Sequence, residues 1–193
     1  LDVDPISIDA SSRLGAIYLA QNRLDEARQS FQDIASKQSR PVVAETMIGT
    51  ILARQNRMDE ARKHFERAVQ LDPRAAVAAN NLAWDYSERG GNLDTALNLA
   101  QAAKAQLPEN PQVTDTLGWV YYKKGMYAPA ITTLREAVQQ APANPVSHYH
   151  LGLAYAKQGN AAEARRSLQE ALRLVPTFRY VEDDKQELAT LPG

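Results

Sequence analysis

Apolar and small residues recur along this chain at spacings of three and four, interrupted at regular intervals by Gly, Asn and Pro. The clearest column holds Gly15, Gly49, Ala83, Gly118 and Gly152, which lie 34, 34, 35 and 34 residues apart. A Leu or Ile precedes each of them: Leu14, Ile48, Leu82, Leu117 and Leu151. Three residues further on stand Tyr18, Leu52, Tyr86, Tyr121 and Tyr155. The second half of each unit carries Ala27, Ala61, Ala96, Ala130 and Ala164, then Phe31, Phe65, Ala100, Leu134 and Leu168. Ile34, Ala68, Ala103, Ala137 and Ala171 follow. Such spacings put the apolar set on one wide stripe of an α-helix, so each unit reads as two helices. Small residues let the two helices approach closely, and the Leu, Tyr and Phe columns fill the space between those contacts.

The pattern predicts first helices over 9–21, 42–55, 76–89, 111–124 and 145–158. It predicts second helices over 24–37, 58–70, 93–106, 127–140 and 161–174, and an eleventh helix over about 178–190. Seven residues after each small position sit Asn22, Asn56, Gly90, Gly125 and Gly159. These are the residues that best tolerate the left-handed conformation at a helix end. The extra residue of the third unit falls in that turn, at Gly90-Gly91-Asn92, where an insertion costs little. Pro73, Pro108, Pro142 and Pro176 close four units, while Ser39 with nearby Pro41 stands in the first. Pro129 falls in the first turn of its helix and is accommodated there.

A 34-residue period of Leu-Gly-x-x-Tyr, then Ala, an aromatic or Leu, Ala and Pro, resembles the tetratricopeptide repeat (TPR) family. The resemblance covers residues 8 to 178. It implies an all-α fold, a right-handed TPR superhelix (α-solenoid) of five helix-turn-helix repeats plus a C-terminal capping helix. The repeats then span 8–41, 42–75, 76–110, 111–144 and 145–178, with 179–193 as the cap. Leu1-Asp2-Val3-Asp4-Pro5 parallels Val69-Gln70-Leu71-Asp72-Pro73, so residues 1–7 read as the tail of a preceding repeat. On that reading the first helix carries an uncovered apolar edge.

Charge and chemistry narrow the function. The chain has 193 residues, with 22 Lys plus Arg against 23 Asp plus Glu, a net charge of −1. That balance lacks the broad electrostatic drive of nucleic-acid binding. The absence of Cys excludes disulfides, thiolate metal sites and Cys nucleophiles, and it fits the cytoplasm and the periplasm equally. No apolar run approaches the roughly 20 residues needed to span a bilayer. His64 stands alone, and His148 and His150, two apart on one helix, point in different directions, unlike a helical zinc pair. No phosphate-binding loop, nucleophile elbow or dinucleotide fingerprint is present. Glu182, Asp183, Asp184, Lys185 and Glu187 lack the ligand spacing of a calcium loop and read as the polar face of a cap. The expectation is a protein with no catalytic residues, cofactor or metal.

In proteins resembling this one, the first helices line a concave face, and four positions of each face the groove. Mapped here, one position holds Ala16, Thr50, Trp84, Trp119 and Leu153. A second holds Ser12, Thr46, Asn80, Asp115 and Tyr149, and a third Leu19, Ala53, Ser87, Tyr122 and Ala156. The fourth holds Asp9, Val43, Val77, Gln112 and Val146. Both Trp residues of the chain therefore fall at one position, in adjacent repeats. The candidate partner-binding residues are Thr50, Asn80, Trp84, Asp115, Trp119, Tyr122, Tyr149 and Leu153. Trp and Tyr give large contact area at low entropic cost, and the Asn80 amide can pair with a peptide backbone. The same rings could instead pack on the adjacent first helix. Ser12, Ala16, Trp119 and Asp115 stand where carboxylate-gripping TPR co-chaperones place Lys and Asn, which argues against that ligand.

The resulting expectation is a non-catalytic scaffold or adaptor that holds a peptide or helix of a protein partner in the groove. Asn81-Leu82-Ala83-Trp84 and Thr116 to Gly125 resemble bacterial TPR proteins, some of which accompany exopolysaccharide export or cell-envelope protein sorting. Two alternatives stay open: a self-assembling homo-oligomeric element, and a regulatory domain of a larger protein.

Overall fold

The computed structural model describes residues 5–175 and 180–191. Among these residues the chain forms eleven α-helices and no strand. They are α1 (Pro5–Ala20), α2 (Leu24–Lys37), α3 (Val42–Arg54), α4 (Met58–Leu71), α5 (Ala76–Glu88) and α6 (Leu93–Gln106). Then come α7 (Pro111–Lys123), α8 (Tyr127–Gln140), α9 (Pro145–Gln158), α10 (Ala161–Leu174) and α11 (Val181–Thr190). The fold class is all-α, of the TPR α-solenoid type. Most helix ends fall within one residue of the sequence expectation. The exceptions are α1, which starts at Pro5 rather than residue 9, and α11, which starts at Val181 rather than residue 178. Pro5 fits the first turn because that turn's N–H groups have no helical acceptor. Leu1 to Asp4 of the expected tail, with Pro176 and Phe178, lie outside the described residues.

The chain divides into two compact units, Leu1–Asp85 and Tyr86–Gly193, with the boundary inside α5. In the first unit α1 packs on α2, α2 on α3 and α3 on α4. In the second, each helix from α6 to α11 packs on the next, and α7 also meets α9.

The columns behave as their chemistry requires. Ala27, Ala61, Ala96, Ala130 and Ala164 are fully buried. A Cβ added at Gly49 would stand 2.7 Å from the Phe65 ring, and one at Gly118 would stand 2.6 Å from Leu134 Cγ. At these two positions the first helix can lie this close to its second helix because the side chain is absent. The turns also follow: Asn22 and Asn56 have φ of 57° and 60°, and Gly90, Gly125 and Gly159 have φ of 76°, 74° and 84°. Ile48, Leu82, Leu117 and Leu151 are buried, whereas Leu14 and Ile17 of α1 remain exposed.

Candidate protein-binding surface

In the second unit the site begins with a well-fixed helix start. The Asn110 side chain accepts hydrogen bonds from the Gln112 and Val113 amides, with Pro111 at the first helical position. From there Asp115, Trp119 and Tyr122 follow at four and three residues, on one stripe of α7. Asn144 caps α9 in the same way, and that helix presents Tyr149, His150 and Leu153.

These side chains join into one aromatic network. Trp119 stacks on Tyr122 with centroids 4.8 Å apart and on His150 at 4.1 Å. Tyr149 stacks on Tyr180 at 5.0 Å and 12°, and Tyr180 lies 5.9 Å from His150. The Trp119 indole N–H donates to Glu88 Oε1 at 2.8 Å. The Lys123 ammonium reaches the same oxygen at 3.1 Å and lies 5.1 Å from the Trp119 ring centroid. Asp115 Oδ2 pairs with His150 Nδ1 at 2.9 Å, while Asp115 Oδ1 is enclosed with no hydrogen-bond partner. Burial pushes the Tyr122 phenol above its ordinary value, and the charges of Glu187 and then Tyr127 add to the effect.

Burial refines the sequence expectation. Trp119, Tyr149, Asp115 and Leu153 are only 7%, 6%, 7% and 8% exposed. They form a floor rather than free contact rings, and Tyr122 is the half-buried member that reaches solvent. Of the two readings of the rings, helix packing is the one observed: Trp119 packs α7 onto α9 through His150. In the first unit Thr50 is half-buried, and its hydroxyl donates to the Thr46 carbonyl at 2.9 Å. Asn80 and Trp84 are half-buried on α5, and Asn80 Oδ1 is enclosed without a hydrogen-bond partner.

Three members of the network were absent from the sequence-derived set. His150, which with His148 lacks the spacing of a zinc pair, is fully buried at the centre. Glu88 carries no sequence signal beyond its charge, and Tyr180 falls within the expected cap. Their signal lay in the period: Tyr180 stands 34 residues after Val146, one of the mapped positions. Among the described residues no group of three or more His, Cys, Asp or Glu could hold a metal ion. No helix of these residues is long and apolar enough to cross a membrane.

Models of the tetratricopeptide repeat match residues 9–39, 42–109 and 145–178, and a TPR repeat model matches residues 118–159. The chain belongs to the tetratricopeptide repeat family. No curated protein matches its sequence. Among solved structures, PilW, described as a widely conserved type IV pilus biogenesis factor, is similar with a TM-score of 0.76 at 16% identity, over 97% of this chain and 90% of that one. MamA from Desulfovibrio magneticus RS-1 is similar with a TM-score of 0.71 at 18% identity, over 87% of this chain and 94% of that one. YrrB, described as a TPR protein with an unusual peptide-binding site, is similar with a TM-score of 0.70 at 18% identity, over 91% and 90%. TPR repeats are, as a class, protein-interaction scaffolds, and the matching models are repeat families rather than enzyme families.

Proposed function

We propose that this protein is a non-catalytic adaptor that holds a peptide or helix of a protein partner on the face lined by its first helices. The observation that carries this reading is the cluster of Trp119, Tyr122, Tyr149 and His150 on α7 and α9. Aromatic side chains backed by a packed floor are the usual anchors of protein contacts. Tyr122 and Lys123 offer the accessible edge, and Thr50, Asn80 and Trp84 are the counterpart positions in the first unit. A catalytic role finds no support, because the buried His150–Asp115 pair is closed off from solvent. The sequence runs around Trp84 and Trp119, and the fold shared with PilW, favour a bacterial cell-envelope or secretion assembly as the setting.

The test is capture of the partner with the full chain, followed by titration of variants. Tyr122→Ala and the Trp84→Ala, Trp119→Ala double variant should each weaken binding by about tenfold or more, as expected for anchor positions. Circular dichroism should show Tyr122→Ala folded, since that ring is half-exposed. Parent-like affinity in both variants sinks the placement.

The exposed Leu14 and Ile17 on α1 favour a second reading, pairing of two copies through that helix. Light scattering decides it: a mass equal to one chain at every concentration removes it.

A further inference from the structure

The helix at the C-terminal end does more than cover the last repeat. Tyr180, Asp183 and Glu187 stand 34 residues after Val146, Tyr149 and Leu153, three of the positions read as facing the partner. Tyr180 meets that expectation physically, since its ring lies parallel to Tyr149 at 5.0 Å and 12°. Tyr180 also lies 5.9 Å from His150, the ring on which Trp119 stacks, so the residue that opens α11 joins the aromatic cluster. The C-terminal end of α11 is tied to α10 by a hydrogen bond from Arg165 to the Leu191 carbonyl at 3.4 Å. The wall therefore continues from α7 through α9 into α11.

Its charge leans acidic at that end, with Arg165 as the cation that reaches α11. Lys123 is held by Glu88, and Lys185 by Glu182 at 2.9 Å. Among the described residues Asp183 and Glu187 form no ion pair. A third carboxylate stands behind the rings: Asp115 is 7% exposed, and its Oδ1 has no hydrogen-bond donor. Exposed Lys157, one turn beyond Leu153 on α9, marks the far edge of this acidic region. Carboxylates beside stacked phenol and indole rings suit a planar cation, which pairs with the acid and lies on the ring face.

We infer that the face formed by α7, α9 and α11 takes an arginine-bearing segment of a protein partner, with Tyr180 and Tyr122 as the stacking surfaces and Asp183 and Glu187 as the paired acids. This rests on the reading of that face as the partner-binding surface. Its polarity is opposite to that of a site that grips a carboxylate.

The test pans a random peptide library displayed on phage against the full chain, in parallel with the full-length Asp183→Asn, Glu187→Gln variant. The selected sequences should be enriched in Arg over Lys, and their synthetic versions should bind the parent about tenfold more tightly than the neutralised variant. Affinity should also fall as salt is raised from low to physiological levels. Replacing the enriched Arg by citrulline should remove the preference for the parent. A neutral or acidic consensus, no selected sequence, or equal affinity for parent and neutralised variant overturns the inference. Peptides weakened by Tyr122→Ala but indifferent to the neutralised acids would leave the binding face standing and remove the arginine. Peptides indifferent to both would remove the face as well.

Discussion

The two units are built from one repeating pattern but joined by different chemistry. In the first, buried acids are held by basic side chains of neighbouring helices. Glu45 on α3 is 6% exposed and pairs with His64 Nδ1 at 2.6 Å and Arg67 Nε at 2.9 Å, both on α4. Asp85 on α5 is 1% exposed and pairs with Arg62 of α4. The second unit also has ion pairs between helices, Lys104 to Glu136 at 2.7 Å, Lys123 to Glu88 at 3.1 Å and Lys124 to Asp94, but their acids are more exposed. Otherwise it joins α7 to α9 through rings, and its acid, Asp115, is met by His150 of the next first helix. Helix starts differ too. Arg23, Pro41 and Arg57 provide no side-chain cap to α2, α3 and α4, whereas in the second unit Asn92, Asn110 and Asn144 cap α6, α7 and α9, while α8, α10 and α11 start uncapped. Buried ion pairs fix which helices meet but add little net stability. Stacked rings add contact area and leave an edge that another protein can use. This difference is why the partner surface proposed above is put on the second unit.

The largest effect should come from filling the closest helix contact. Gly118→Leu should cost about 3 kcal/mol or more in urea denaturation, because even a Cβ there meets Leu134 at 2.6 Å. The comparison sharpens with the smaller change. Gly118→Ala should cost more than Gly49→Ala, because the Leu134 backbone nitrogen stands 3.2 Å away, whereas the three atoms nearest a Cβ at Gly49 all belong to the Phe65 ring. Equal losses would mean that Leu134 yields as readily as the ring.

Next come the buried acids. His150→Leu leaves Asp115 without its partner and should cost about 3 kcal/mol. His64→Leu should cost clearly less, since Arg67 still holds Glu45. If thermal melts rank the two the other way, the rings rather than the acid pair dominate the second unit.

Helix caps give a smaller difference. Asn110→Ala should lose about 1 kcal/mol, and Arg23→Ala no more than about 0.5 kcal/mol. Comparable losses would break the contrast in helix starts.

The smallest effect is a pH dependence shared by both units. Hydrogen bonds from Arg57 hold Glu60 below its ordinary value, and those from Arg173 do the same for Glu170. A carboxylate held low in the folded state stabilises above its unfolded value, and that contribution fades as pH falls through the folded one. Glu60 is exposed and Glu170 half-buried in contact with solvent, so the slope is shallow. Melting temperatures of Glu60→Gln and Glu170→Gln should therefore fall slightly less than the parent's on acidification, and by similar amounts. A steeper loss in either variant contradicts the assignment.

Much of the fold was legible because its determinants are local and repeated. The glycine column states where two helices must touch, and Gly118 under Leu134 is the physical form of that statement. Asn22 and Asn56 were readable as left-handed turns because few other residues tolerate that backbone. The fully buried Ala27, Ala61 and Ala130 followed from helical spacing alone. The candidate site was legible only as a stripe: helical geometry placed Asp115, Trp119 and Tyr122 on one face of α7.

The sequence by itself determined the period, the helices, their turns and the side of each helix that faces its neighbours, because backbone preference and helical spacing act within a few residues. Tertiary structure alone decided which side chains meet. Asp115 and His150 are 35 residues apart, and Trp119 and Glu88 are 31. Such pairs form only when successive repeats stack, and the stacking offset and the side-chain rotamers have no local signature. The same stacking buried the Trp119 ring, left Tyr122 at its edge and brought Tyr180 onto Tyr149. A one-dimensional pattern can name the face of a helix, but a contact needs a second helix beside it.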